Sequence, residues 1–377
     1  MNRLTKQIGF SLVELLVSIT ITLIVLTGVL GVVQNSRISY ETEQEASFIQ
    51  ENLRYATELL LRDIRMAGSS GCASGGNAKT ANVLAGDIDG MLTGEALTGF
   101  ESTGLTTIPA GWPDAFESDA TAGSDATAGS DAVIIRYADP DSAISISGSN
   151  YTSAVLNLHG ATTPFEEGQV LMIVDSTCRQ MGVFQVTPNN SGGNKLNHAT
   201  GSAMSPGNCT KVLFASNTSF NCTASPCNPT SCGGNPAAPY GNGSNVMSFV
   251  ANAYYIGESN VIPGMPALKR QVLTSDGTRS EELAQGVESM ELQFGVSTEV
   301  DAASGDIDPD GDVDIFLNAD EVTDWDTVIA VRYTLILRSQ TELYDSNQSV
   351  SLNGTTYTDK YLRQVASSTV RVRNRGS

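Results

Sequence analysis

Histidine is nearly absent: His159 and His198 are the two in 377 residues, and both fall in loop-like sequence. The chain also has no HExxH zinc motif, no serine nucleophile elbow and no glycine-rich phosphate loop followed by lysine. Those are the patterns that announce metalloproteases, serine hydrolases and P-loop nucleotide enzymes. Both histidines and the many serines therefore read as ordinary surface or turn residues, and the chain as no enzyme. Basic charge is scarce as well, with 21 Lys and Arg against 41 Asp and Glu and a formal net charge of -20. The deficit is uneven. Residues 1–67 carry six basic against seven acidic side chains, which leaves fifteen against thirty-four for residues 68–377. An acidic surface repels phosphate backbones, so no nucleic-acid partner is expected. A short basic strip closes the chain at Lys360, Arg363, Arg371, Arg373 and Arg375.

What the sequence does have is an apolar run from Phe10 to Val33. At about 1.5 Å per residue it spans roughly 36 Å, enough to cross a bilayer core. Its flank carries Arg3 and Lys6 and no acid, so the N-terminus is expected in the cytoplasm and the remainder across the membrane. A secretory signal peptide would have a shorter core and a small-residue cleavage site, whereas a polar helical pattern follows here.

One carboxylate, Glu14, interrupts the run. An unpaired acid near the end of a membrane helix costs about 2 to 3 kcal/mol in insertion terms, so it calls for a cation. None lies in its own segment. Cutting the chain after Gly9 would supply one as the new amine of Phe10, four residues from Glu14. The stretch Gly9-Phe10-Ser11-Leu12-Val13-Glu14-Leu15-Leu16-Val17, behind a short basic leader, resembles the type III signal of type IV prepilins and type II secretion pseudopilins. That resemblance implies cleavage between Gly9 and Phe10 by a membrane prepilin peptidase and N-methylation of Phe10. It also implies that Glu14 pairs with the N-terminal amine of a neighbouring subunit, and that this subunit sits below another in a fibre.

Beyond the run, Ala46, Ile49, Leu53, Ala56, Leu60, Ile64 and Ala67 recur at steps of three and four, with Glu51, Arg54, Glu58, Arg62 and Arg65 mostly off the stripe. The helix is expected to continue to Ala67 and stop at Gly68, with Gly28 and Gly31 as weak points. Residues 68–131 read as an irregular connection that includes a tandem DATAGS repeat, taken as a loop expansion. Strand-like runs follow at 132–138, 153–158, 169–175, 181–187, 246–257, 267–273, 288–296, 327–339 and 360–375, separated by turn residues with no comparable helix between them. The expected fold class is α+β, a long N-terminal helix packed on an antiparallel β-sheet head. The runs "DSTCRQMGVFQVT", "ANAYYIG" with "LKRQVL", "LAQGVESMELQFGV" and the closing "VRVRNR" are together similar to the minor pilin PilW family. The implied fold is type IV pilin-like: leader 1–9, transmembrane or fibre-core helix 10–33, amphipathic stem 34–67 and β-rich head 68–377.

Six cysteines, Cys72, Cys178, Cys209, Cys222, Cys227 and Cys232, lie in the part expected outside the cytoplasm. Their even number favours disulfides, with fifteen possible pairings. Zinc is the rival, on a loose Cys-x4-Cys-x4-Cys spacing with His198 as the nearby imidazole. The segment 188–245 holds four of the six and is expected to bury little apolar area. In the acidic loop 301–321, Asp306, Asp308, Asp310, Asp312 and Asp314 surround Gly311 in the manner of an EF-hand-like calcium loop. The twelfth position is Leu317 instead of glutamate, with Asp320 or Glu321 as substitutes, and a plain solvated acidic loop is the alternative.

The function expected is a minor type IV pilin, held in the inner membrane and then carried to the cell-surface pilus. The resemblance implies that it primes assembly at or near the tip with other minor pilins, the major pilin and a tip-associated adhesin. A minor pseudopilin of type II secretion is the alternative, and a membrane-tethered calcium-dependent adhesin or exported enzyme is the alternative from another class.

Overall fold

The structure is a computed structural model that describes all residues except 1–10, 73–77, 103–111, 117–125, 128, 151–153, 161, 189–192, 202–203, 216–218, 223–239, 298–311, 353–354 and 374–377. The chain divides into two compact units, residues 1–51 with 339–362 and residues 52–338 with 363–377. One helix, α1 (Leu12–Met66), runs unbroken through Gly28 and Gly31 and contributes to both.

The larger unit is built on an eleven-stranded sheet. Its strands are β1 (Lys79–Asn82), β2 (Leu97–Phe100), β3 (Ala132–Asn150), β4 (Val155–Leu158), β5 (Val170–Val174), β6 (Gln180–Gln185), β7 (Lys195–Asn197), β8 (Phe220–Asn221), β9 (Asn245–Glu258), β10 (Pro266–Thr274) and β11 (Gly277–Gln285). The spatial order is β7-β4-β3-β9-β5-β6-β1-β8, with β10 also on β9, β11 on β10, and β2 on β3. Strands β5 and β6 are covered on both faces. Leu171, Ile173 and Phe184 enter one core cluster, and Val170 and Val183 enter another with Met172 against it. A strand buried on both sides carries an uninterrupted apolar run, as "VLMIV" does.

A second sheet comprises β12 (Val287–Val296), β13 (Ile315–Leu317), β14 (Val328–Glu342) and β17 (Tyr361–Arg371); β14 from Ser339 on, β17 up to Leu362 and the hairpin β15 (Gln348–Leu352) and β16 (Thr355–Asp359) between them in sequence belong to the smaller unit, the rest to the larger. The two sheets meet at β2 and β12. Gly99 leaves room for the Phe294 ring, which a Cβ there would approach to 2.3 Å, and Phe294 stands edge-on to Trp325 at 4.8 Å. Ser130 and Asp131 bind the backbone of Met290 and Leu292 at the same junction.

Helix α1 ends on the larger unit. Ala56, Leu60, Ile64 and Ala67 are fully buried, while Arg54, Glu58, Arg62 and Arg65 are exposed, as the periodicity predicts. In the smaller unit, Glu45 accepts hydrogen bonds from the Gln340 N–H (2.8 Å) and the Thr341 hydroxyl (2.8 Å). Hairpin β15–β16 pairs Val350 with Tyr357 and joins Ser351 to Thr356.

Several sequence expectations need correcting. Strand β1 pairs parallel with both β6 and β8, so the sheet is mostly rather than wholly antiparallel. The segment 68–131 is not a mere connection: it supplies β1, β2, a 3-10 turn at Asp114–Phe116 and the buried Leu84, Met91, Leu92 and Phe116. Its organiser is Arg136, whose guanidinium donates to the carbonyls of Met91 (2.7 Å), Glu95 (2.7 Å) and Gly90 (3.0 Å) and to the Thr98 hydroxyl (3.2 Å). Burial pushes the Arg136 pKa down to about 10 against the pull of Asp87 and Glu95. The second DATAGS copy is likewise in the fold, with Ala126 N–H on the Phe116 carbonyl and Thr127 N–H on that of Ile256. The first copy lies outside the described residues.

Segment 188–245 buries more than its composition suggests. Leu196, Leu213, Phe214 and Tyr240 join the cluster around Phe184. His198, expected at the surface, is 1% exposed beside the Phe184 ring, because its Nε2 contacts the Lys211 carbonyl at 3.1 Å. Strand β11 escaped the sequence reading because "GTRSEELAQ" is an edge strand with charges instead of an apolar face. Of the basic strip, Arg363 is committed to Glu288 through two contacts at 2.7 and 3.0 Å, and Lys360 lies 3.8 Å from Glu342.

Candidate assembly site

The N-terminal half of α1 is a rod of unburied apolar side chains. Leu12, Val13, Leu15, Leu16, Val17, Ile24, Leu30 and Val33 are all at least half exposed, so the described residues leave them uncovered. Among the described residues this is the one helix long and apolar enough to cross a membrane. Its polar side chains are neutralised locally. Ser18, Thr20, Thr22 and Thr27 donate to the carbonyls of Leu15, Val17, Ser18 and Ile24 at 2.7–2.9 Å. A hydroxyl satisfied by its own helix costs little in a medium without water.

Glu14 lies in the first turn of α1, where a negative charge meets the positive end of the helix dipole. No cation of the described chain is paired with it, and Gly9 and Phe10, the expected cleavage pair, lie outside the described residues. The geometry is that of an exposed apolar helix with one acid in its first turn.

At the far end of α1 a second carboxylate does the opposite work. Asp63 sits on the buried face three residues after Leu60 and is 4% exposed. It accepts from the Tyr254 hydroxyl at 2.6 Å, the Asn252 amide at 2.5 Å and the Tyr137 hydroxyl at 3.2 Å. Burial raises the pKa values of both tyrosines, with the Asp63 charge adding to it, so they stay protonated donors. The helix end is thereby joined to β3 and β9 of its own unit. Sequence reading passed over Asp63, although an acid on the apolar stripe between Leu60 and Ile64 was a visible signal.

Covalent bonds reinforce this region. Cys72, just past the helix, is bonded to Cys178 in the turn between β5 and β6, and Cys209 is bonded to Cys222. No free cysteine occurs among the described residues. With Cys222 in a disulfide, the zinc spacing loses a member; Cys227 and Cys232 lie outside the described residues. Of the acidic loop, Asp306, Asp308 and Asp310 are also outside, while Asp312 and Asp314 are exposed. Among the described residues no three His, Cys, Asp or Glu side chains gather as a metal site. Glu321, a suggested substitute ligand, turns back to accept the Asn318 N–H at 2.9 Å.

Residues 4–30 match the Prokaryotic N-terminal methylation motif, the region that holds Glu14 and most of the exposed rod. Residues 253–374 match the Type IV Pilus-assembly protein W family, PilW. The PilW match begins inside β9 and takes in β10 to β17, so it covers Tyr254 of the Asp63 cluster and the whole second sheet. The two matches fall at opposite ends of the chain, the methylation motif on the apolar helix and the PilW similarity on the C-terminal part of an α+β fold. No curated protein and no solved structure matches the chain.

Proposed function

We propose that the chain is a minor type IV pilin whose N-terminal helix enters a filament and whose β-rich head, residues 68–377, is carried on the stem 34–67. The observation that bears most weight is the rod of exposed apolar side chains with Glu14 at its head, inside the methylation motif. In this reading prepilin peptidase removes residues 1–9 and methylates Phe10. The precursor waits in the inner membrane with its N-terminus cytoplasmic and its head periplasmic. On assembly the Phe10–Val33 rod leaves lipid for the fibre core, an exchange between two apolar media that conserves its burial. Glu14 then meets the amine of an adjacent subunit. Because an ion pair without water is directional and a broken one is costly, it selects one register among many greasy alternatives. Placement at or near the tip, priming with other minor pilins and the major pilin, and contact with a tip-associated adhesin follow the family resemblance.

N-terminal sequencing of the mature protein tests the processing: it should begin at N-methylated Phe10, and a mature chain still starting at Met1 refutes the pilin reading. Glu14→Ala should leave membrane insertion intact and abolish recovery of the subunit in sheared filaments. Equal recovery of mutant and native subunits would remove the role given to Glu14. Deleting the gene and scoring surface pili against exoprotein release separates the pilus from a type II secretion system.

A further inference from the structure

Lysine is seldom buried completely, because its ammonium loses its water. Lys269 in β10 is 1% exposed and ranks with Tyr254 and Phe184 among the largest enclosed side chains. Its Nζ lies 3.2 Å from the Oδ1 of Asn260, a residue of the turn between β9 and β10. Two features aim it there. A shift of register falls between Leu268 and Lys269, and such bulges redirect the side chain that follows. The same pairing sets Lys269 directly opposite Glu282 on β11. Side chains facing each other across antiparallel strands have Cβ atoms about 5 Å apart, within reach of one another's ends.

The Glu282 carboxylate is also tied to the turn. It accepts from the Asn260 N–H at 2.6 Å, from Ser259 Oγ at 2.9 and 3.0 Å, and from Gln285 Nε2 at 2.8 Å. Ser259 Oγ in turn accepts from the Val261 and Ile262 N–H groups. An amine, a carboxamide and a carboxylate are thus collected at one corner, with the amine hydrogen-bonded to the oxygen of the carboxamide whose carbon it would attack, and groups held together in this way react far faster than free ones.

We propose that Lys269 and Asn260 form an intrachain amide bond, a post-translational crosslink assisted by Glu282. The Lys269 ammonium passes a proton to the Glu282 carboxylate. The freed Nζ electron pair then attacks Cγ of Asn260, making the Nζ–Cγ bond and moving the carbonyl pair onto Oδ1. One of the remaining Nζ protons is transferred to Nδ2. The tetrahedral species collapses, the Cγ–Nδ2 bond breaks, and ammonia departs with the proton held by Glu282, as ammonium. No oxidant, metal or cofactor takes part, and the carboxylate is regenerated. The product staples the β9–β10 turn to the body of β10 and removes a buried charge from the core.

Mass spectrometry of the reduced, denatured full chain decides. The expected mass is that of the chain from its observed N-terminus less one ammonia, with trypsin failing to cut after Lys269. A wild-type chain of full mass, cut normally at Lys269, overturns the proposal. A cyclic imide at Asn260 would also lose ammonia but needs no lysine, so Lys269→Arg separates the two. The crosslink predicts full mass for that variant, and a persisting deficit overturns it. Glu282→Gln should fold, by circular dichroism, with the amide bond unformed; complete crosslinking in that variant overturns the assignment of Glu282.

Discussion

Replacing Asp63 by alanine should detach the end of α1 from its sheet. The native carboxylate is buried and receives three donors, two of them at 2.5 and 2.6 Å, the lengths of charge-assisted bonds. Alanine leaves the Asn252 amide and the Tyr137 hydroxyl enclosed without this acceptor, while Tyr254 keeps its contact with Arg270. Each stranded buried group costs about 1 to 3 kcal/mol, so a total of about 3 to 5 kcal/mol is expected. Asp63→Asn retains one acceptor and should cost about half as much. Denaturant unfolding of the detergent-solubilised chain, followed by the fluorescence of Trp112 and Trp325, measures this as a lowered midpoint at unchanged slope. The pH dependence gives a second reading. Both tyrosine pKa values are raised in the folded state above the ordinary 10.0, so their contribution is present at neutral pH and lost as pH climbs above 10. That alkaline loss should shrink in Asp63→Ala. A cost below about 1 kcal/mol with the alkaline transition unmoved would refute the anchoring argument.

Other outcomes follow from single groups. Burial pushes His198 from 6.5 down to about 4, so folding favours its neutral form. Stability should be complete above pH 6.5 and decline by about 3 kcal/mol on acidification to pH 4, a slope that His198→Gln removes if the chain is titrated by calorimetry. Glu291 is displaced the other way, up to about 7 by partial burial and then by the Asp131 charge. Its protonated form is favoured in the fold, so stability should fall between about pH 4.5 and 7 and level off above; Glu291→Gln should flatten that interval in the same titration. Breaking Cys72–Cys178 by a double serine substitution should cost about 2 to 5 kcal/mol, measured as a lowered melting temperature, and unchanged melting would show that the bond adds nothing to the hydrogen bonds around it.

Much of the helix was legible because its cause is local. A membrane-length apolar run, the lone Glu14 and the three-and-four spacing through Ile64 act within a few turns, and period and length suffice to read them. The long strands β3, β5, β9, β12 and β14 were legible for the same reason, since each carries its own apolar run. The parallel partner β1 and the buried Arg136 were not, because each depends on a neighbour far away in sequence, and β11 was not because its charged edge carries no apolar run. The DATAGS copy that ends at Ser130 looked like loop filler until Met290 lay beside it.

The sequence by itself therefore determined that one end of this protein is a greasy rod headed by an acid, and that the rest is β-rich with an even number of cysteines, whose pairing it left open. Only the tertiary structure decided which charges are interior. Glu14 and Asp63 are both carboxylates on the same helix, but one is exposed in its first turn while the other is enclosed by Tyr137, Asn252 and Tyr254. Lys269 and Glu282 meet through strand register and a bulge. Helical and strand periods are set by bonds along the chain, whereas the burial of a polar group is set by whichever strands the fold brings over it.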